Sequence, residues 1–378
     1  MRITGTYQQL GNTRYFIPTP LPPRDPDFLL NEEIMILFGE ASFELGRLRE
    51  MGSRLPDIER FLKAYVTKEA LFSSEIEGIH TTLIEAFTHP LGESKPDKDT
   101  QLVLNYTQAL DTTLDMISKE GFPIVSRVFL KAHKILLSGG ENEKSAPGTY
   151  RGQAVRIGNL IPPPPQEISR LISELEQYIN APSQLPDLIR AGLSHAHFEM
   201  IHPFLDGNGR VGRLLIVLML VQSKLLNKPI LYPSYYLKKH QAEYYQKLDD
   251  IRTRGDYEGW ITYYLKVIRD SARDACLRAQ AIESLKHDLQ KTIDESAHFA
   301  QVRKVATATL NVLLMYPVIS IPELSKQLGK AYNTASNILE RFEQCSFVHE
   351  IDSSRERNKL YQFTPYFEVL NEEYDHLQ

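Results

Sequence analysis

Residues 202–213, HPFLDGNGRVGR, join two apolar helical runs through a proline and a glycine-rich bend, and this junction constrains the fold more than any other segment. Residues 186–201 and 209–226 both carry apolar side chains at helical spacing. Pro203 ends the first run, because proline lacks the N–H that a helix interior needs. Gly207-Asn208-Gly209 opens the second, since glycine lets the backbone turn its N–H groups toward one point. The chain must therefore turn a corner between two helices here.

Helical periodicity extends far beyond that corner. Ile58, Phe61, Leu62, Tyr65, Val66, Leu71 and Phe72 recur at helical spacing up to Gly78, and further periodic segments run over 102–117, 166–179, 236–252 and 256–292. Residues 15–26 are proline-rich and predict extended backbone. Residues 146–165 break the helical pattern: Gln153–Ile157 predicts a short strand, which Pro162–Pro165 terminate, giving a small β-hairpin on a helical body. After a polar linker at 292–301, helical patterns at Leu310–Tyr316, Ile321–Leu328 and Tyr332–Gln344 precede two β-like runs around SSRERN. Three helices and a hairpin in that order predict a winged helix-turn-helix. The expected fold class is mainly α. At 378 residues the chain exceeds what one core usually fills, and the expected division is a helical region at 1–100, a core at 101–290 and the winged helix at 302–378.

Composition excludes several classes. A net charge of −5 argues against blanket binding to nucleic acid or an anionic membrane. The two cysteines, Cys276 and Cys345, lie outside any Cys-x-x-Cys pair, so no cysteine zinc site or disulfide framework is implied. The first 24 residues carry no signal-like apolar stretch. The most apolar run, Leu214–Val221, is shorter than the ~20 residues a bilayer requires. A cytoplasmic chain without a membrane partner is expected.

The corner concentrates cooperating chemistry. A helix N-terminus opened by a glycine turn attracts anions through free N–H groups and the positive dipole end. Arg210 and Arg213 share a face of the first turn and suit phosphate oxygens. Asp206, just before the turn, suits Mg²⁺, which takes oxygen ligands and bridges phosphates. His202, at the end of the preceding helix, can take a proton near neutral pH. Other patterns fare worse. Gly207-x-Gly209-x-x-Gly212 matches the dinucleotide fingerprint, but a helix precedes it and Tyr232 stands where an acidic residue is required. His195 and His202 could share a helix face, whereas His197 and Glu199 are expected to point elsewhere, so a zinc site is not favoured. No Gly-x-x-x-x-Gly-Lys-Ser/Thr occurs.

HPFLDGNGRVGR resembles the signature of the Fic (Fic/Doc-type) family, His-Pro-Phe-x-Asp/Glu-Gly-Asn-Gly-Arg-x-x-Arg, at every fixed position. LSHAHFEMI, PGTYRGQAVRIG and AEYYQKL resemble the family as well, so the likeness covers most of 20–290, and the C-terminal pattern resembles a frequent companion domain. The resemblance implies a protein adenylyltransferase, which transfers AMP from ATP to a Ser, Thr or Tyr hydroxyl of a protein target, itself included. His202 is then the implied general base and Asp206 the Mg²⁺ ligand. Gly207, Asn208, Gly209, Arg210, Val211, Gly212 and Arg213 form the nucleotide cradle, Arg213 anchoring the γ-phosphate, with Tyr244 and Tyr245 as walls of the adenine pocket. Val155, Arg156, Ile157 and Gly158 form the flap that pins an extended target.

The helix that ends at Gly78 carries two carboxylates, Glu75 and Glu77, at its negative dipole end, where something cationic should compensate. Ser73-x-x-x-Glu77-Gly78 also resembles the family's inhibitory motif, which implies that Glu77 pairs with Arg213 and restrains the enzyme. The same resemblance admits an enzyme that removes AMP or moves another phosphate-containing group. A DNA-binding regulator with a nucleotide-sensing core is the rival of another class. Asn333, Thr334, Ser336 and Asn337 would then read bases while Arg355, Arg357 and Lys359 touch phosphates, although residues 301–378 hold eight Lys/Arg against ten Asp/Glu. Protein contact, including a homodimer, is the other use of that domain.

Overall fold

The computed structural model describes residues 2–54, 58–88, 96–139, 145–158, 160–351 and 359–372. Part of the loop expected after residue 88 and the whole of SSRERN, with Arg355 and Arg357, lie outside them. Two compact units divide the chain: residues 1–55, 65–80 and 101–273 form one, and residues 56–64, 81–100 and 274–378 the other. Helices dominate, with small antiparallel sheets, as the sequence predicts.

The first unit opens with a hairpin, β1 (Gly5–Leu10) and β2 (Thr13–Pro18), paired antiparallel from Gly5↔Pro18 to Leu10↔Thr13. The extended backbone expected from residue 15 therefore begins earlier. Five of the six residues of β1 are exposed, so no apolar alternation marks it in the sequence. Among the described residues eleven helices follow: α1 (Glu32–Arg54), α2 (Ile58–Ile76), α3 (Leu83–Thr88), α4 (Lys98–Ser118), α5 (Ser126–Leu136), α6 (Pro165–Asn180), α7 (Asp187–Ile201), α8 (Asn208–Gln222), α9 (Ser234–Lys239), α10 (Gln241–Arg254) and α11 (Tyr257–Glu295). Of these, α3 belongs to the second unit, and α2, α4 and α11 supply residues to both. The single helix expected at 236–252 is two, because His240 between α9 and α10 is not helical (φ −113°, ψ 38°). The linker expected at 292–301 is likewise partly helix: α11 continues to Glu295, and a short 3₁₀ turn at Ala297–Phe299 is capped by Ser296.

The core of the first unit sits on α7 and α8. All of α7 except Asp187 and Glu199 is buried, and α8 is buried at Asn208 and from Arg210 to Leu220. Helices apolar on nearly every side belong inside a protein, and each fully buried Leu, Ile or Val contributes about 1.5–3 kcal/mol. Gly192 lets α11 approach closely. A Cβ at Gly192 would stand 2.6 Å from the Tyr264 ring, and Trp260 Nε1 donates to the Gly192 carbonyl at 2.9 Å.

In the second unit, α12 (Arg303–Met315), β3 (Val318–Ser320), α13 (Ile321–Leu328), α14 (Tyr332–Gln344), β4 (Val348–Glu350), β5 (Leu360–Phe363) and α15 (Thr364–Asn371) follow in the expected order of helices and strands, with β3 and α15 added. The sheet order is β3-β5-β4, all antiparallel. Arg278 pairs with Asp274 and donates to the carbonyls of Val369, Leu370 and Glu372, closing the end of α15.

Candidate active site

The helix-ending role of Pro203 is realised one residue earlier than the proline itself. His202 adopts the left-handed conformation (φ 48°, ψ 62°) and caps α7, its N–H donating to the Phe198 carbonyl at 2.9 Å. Phe204 is fully buried and fixes the loop: its ring stacks on His133 of α5 with centroids 3.8 Å apart. Asn208 clamps the same residue, accepting from the Phe204 N–H at 2.8 Å and donating to its carbonyl at 2.9 Å. The Asn208 side chain is thus committed to the loop, and only its backbone remains for a cradle. Gly207 then starts α8 with φ 77°, a conformation natural to glycine.

His133 holds the loop from the other side. Gly148 N–H donates to His133 Nδ1 at 2.9 Å, so Nε2 carries the proton and donates to the Asp206 carbonyl at 3.0 Å. Burial pushes this imidazole down to about 4, which keeps Nδ1 free to accept. Nothing in the sequence marks His133, which lies some seventy residues from the loop it orders.

The charged groups sort into two sets. Arg213, deeply buried, donates from Nε to Ser73 Oγ at 2.9 Å, and from Nη2 to the Ser73 carbonyl at 2.7 Å and Glu77 Oε1 at 2.8 Å. A Cβ at Gly209 would meet Glu77 Oε1 at 2.1 Å, so the carboxylate rests on the bare first turn of α8. Burial raises the Glu77 pKa, but Arg213 and then Arg210 and His202 more than offset it, leaving the carboxyl below its usual range. The compensation expected at the end of α2 is also present: Lys238 Nζ donates to the Glu75 carbonyl and Gln241 Nε2 to the Ile76 carbonyl, each at 2.9 Å. Arg210 forms the second set. It is buried, its Nε and Nη1 make no hydrogen bond, and Asp206 Oδ2 stands 3.9 Å from its Nη2. Buried guanidinium donors without a partner are what an anion-binding site leaves open.

A cavity of about 590 Å³ adjoins this corner, and His202, Glu77, Gly209, Arg213, Tyr244 and Tyr245 line it. Burial, then the Arg151 charge, pushes the His202 imidazole down to about 4, so it is neutral at physiological pH. Tyr244 is fully buried and its hydroxyl meets His195 Nε2 at 2.9 Å, whereas Tyr245 is half exposed. Ile157 and Gly158 of the expected flap reach the cavity; Val155 and Arg156 do not line it. Nor do Ser73, Asp206, Gly207, Asn208, Arg210, Val211 and Gly212, with Val211 fully inside the core.

Two expectations are corrected. Gln153–Ile157 forms no strand: an isolated bridge between Ile157 and Leu160 is all that pairs, because the prolines at 162–165 withhold the donors that a second strand would need. Residues 153, 154 and 156–158 are exposed. Glu199 does not point elsewhere. It lines the cavity, with Oε1 2.2 Å from where a Gly212 Cβ would stand. Three residues before His202, it shares that helix face, a spacing the sequence does display. Burial raises its carboxyl to about 8.

Asp206 suits a magnesium ion by its donor chemistry. Its Oδ1 accepts from Gly207 N–H at 2.6 Å, while the side chain is 48% exposed and Oδ2 is held only by the distant Arg210, leaving an oxygen beside the α8 N-terminus. Among the described residues no cluster of three or more His, Cys, Asp or Glu could hold a metal by itself, so phosphate oxygens would have to complete the shell.

Comparison with known proteins agrees with this geometry. The Fic/DOC family profile matches residues 123–220, and the Fic/DOC family N-terminal profile matches residues 35–115. The chain is 27% identical to the protein adenylyltransferase fic-1 of Caenorhabditis elegans over 202 residues, 50% of this chain and 38% of that one. It is 25% identical to the protein adenylyltransferase Fic of Drosophila ananassae over 272 residues, 67% of this chain and 52% of that one. The chain thus spans about half the length, or less, of these curated relatives. A solved Fic family protein from Desulfovibrio desulfuricans G20 shares the fold, with a TM-score of 0.57 and 22% identity over 89% of this chain and 97% of that one. With both profiles matching in order, and the signature folded into one corner, residues 35–115 and 123–220 carry a Fic/DOC N-terminal region and a Fic/DOC domain.

Proposed function

We propose that the protein transfers AMP from ATP to a hydroxyl side chain of a protein target. One observation carries this reading: a neutral imidazole and a set of buried, unpartnered guanidinium donors stand on the same helix corner, beside a cavity of nucleotide size. The names of the relatives support it. In the reaction, His202 takes the proton of a Ser, Thr or Tyr hydroxyl. The freed oxygen bonds to the α-phosphorus, the bond from that phosphorus to the bridging oxygen breaks, and pyrophosphate leaves. Arg210 and the α8 backbone N–H groups hold phosphate oxygens. Asp206 would hold Mg²⁺, which neutralises developing phosphate charge when bound. The largely exposed segment 153–158, which forms no strand and pairs only through the Ile157–Leu160 bridge, offers its remaining main-chain groups to an extended target.

In this reading Glu77 is a brake, because its carboxylate occupies both the α8 N-terminus and Arg213. The same carboxylate lines the cavity with His202, which favours a second activity, orienting water to remove AMP from a modified target. Incubation with α-labelled ATP tests the main reading. Label should enter protein in the wild type and fall by about 10²–10⁴-fold in His202→Ala, the usual weight of a general base. Undiminished labelling by His202→Ala overturns it.

A further inference from the structure

Arg151 is a buried arginine whose hydrogen-bond partners include no carboxylate. It is 2% exposed, and its guanidinium donates to backbone carbonyls: Nε to His202 at 2.8 Å, Nη1 to Gln153 at 3.1 Å, and Nη2 to Pro163 at 2.6 Å and Ile201 at 3.4 Å. Its own N–H donates to the Pro203 carbonyl at 2.9 Å. Buried charges are ordinarily paired with an opposite charge, so this arrangement calls for a physical account.

The acceptors belong to two places. Ile201 and His202 supply carbonyls at the end of α7, where the dipole is negative and a cation is favourable. Gln153 and Pro163 flank the exposed segment that reaches the cavity. His202 itself is a non-glycine residue in the left-handed region, a strained conformation that persists only where neighbours fix it. A carboxylate partner would neutralise Arg151; carbonyls leave its charge intact beside the imidazole.

We propose that Arg151 is the positioning residue of this site, pinning the carbonyl end of α7, and with it the His202 imidazole, to both ends of segment 153–163. The inference rests on the reading of His202 as the proton acceptor. Its charge has a second effect. Among the groups that face the imidazole, Arg151 disfavours protonation, while Glu77 from the end of α2, the Glu199 carbonyl of α7 and Asp206 of the loop favour it. Burial and Arg151 outweigh the other three. Arg151 thus links target docking, base geometry and base protonation through one side chain.

The test uses the full chain as wild type, Arg151→Met and Arg151→Lys. Two quantities are measured against pH: the NMR titration of the labelled His202 ring and AMP transfer. Methionine removes charge and donors. Lysine keeps the charge but lacks the fork that reaches several carbonyls. In Arg151→Met the His202 titration should move up by about 1 pH unit, and the acid limb of transfer should move with it. In Arg151→Lys the titration should stay near wild type while plateau transfer falls about tenfold. A slower Arg151→Met with an unmoved titration would leave Arg151 a mere packing element and overturns the proposal. So does wild-type plateau transfer in Arg151→Lys, which decides the matter alone should the methionine variant not fold. If the wild type transfers no AMP, the reading of the reaction fails, and the His202 titration judges Arg151 independently.

Discussion

The corner between α7 and α8 and the corner between α13 and α14 both turn the chain through left-handed residues, His202 and Gly207 in one, Gly329 (φ 59°) in the other. At the second corner Ser320 caps α13, Gly329 N–H donates to the Lys326 carbonyl, and Ser325 Oγ donates to the Lys330 carbonyl. Asn333 and Asn337 are exposed, and among the described residues no buried side-chain polar atom of 320–344 lacks a partner. At the first corner, Nδ1 of His195, His197 and His202, Oε1 of Glu199, and Nε and Nη1 of Arg210 are buried without a well-formed hydrogen bond. The shape of a helical corner therefore says little about chemistry. A cluster of unsatisfied buried groups says more, because most buried polar groups in a fold have a partner. Lys359, expected to touch DNA phosphates, is paired with Glu350 at 2.9 Å.

The contrast can be broken in four ways. The largest effect should come from acid. His195 is pushed down to about 3, and His133, His197 and His202 to about 4, all by burial first. Unfolded histidine titrates near ~6.5. At these rings the unfolded chain therefore binds protons that the folded chain refuses, so the histidine contribution is full above that value and falls as pH drops toward 4, the four rings outweighing the raised Glu199 carboxyl, which works in the opposite sense. Calorimetry at pH 7 and pH 5 should show a lower Tm at pH 5; equal values would contradict the burial of these rings. Residues 321–344 contain no histidine and add nothing to this effect.

Asn208→Ala should come next. It strips both clamps from the Phe204 backbone and costs about 2–4 kcal/mol, visible as a Tm lowered by several degrees. A Tm within a degree of wild type would show that the clamp is idle. Glu77→Gly should raise initial AMP transfer about tenfold, within the usual range of coupling between sites; an equal or lower rate refutes the brake. Asn337→Ala, at the satisfied corner, should change stability by less than about 0.5 kcal/mol. A larger loss would mean that corner is also under strain.

The α7–α8 corner was legible because its chemistry lies in consecutive residues, where proline and glycine fix the backbone and charge types repeat at helical spacing. The carboxylates at the end of α2 asked for a cation without naming it, and the pairing of Glu77 with Arg213, 136 residues away, was legible only through the resemblance. His133 and Arg151 were not, since their work is done on backbone carbonyls remote in sequence, and a carbonyl leaves no mark on residue identity. Glu199 is an error of face rather than of signal: a residue three before His202 had to share its side of α7. β1 stayed hidden because a polar, exposed strand has no period to read.

The first turn of α8 at Gly209 has no side chain to shield it, and Glu77 already lies upon it. A diffusing anion meets there an anion on a tether, so occupancy becomes a contest of concentrations. Tethered groups act at effective concentrations on the order of millimolar. Under the proposed reading the protein would respond to nucleotide gradually over that range, as a rheostat set by chain geometry.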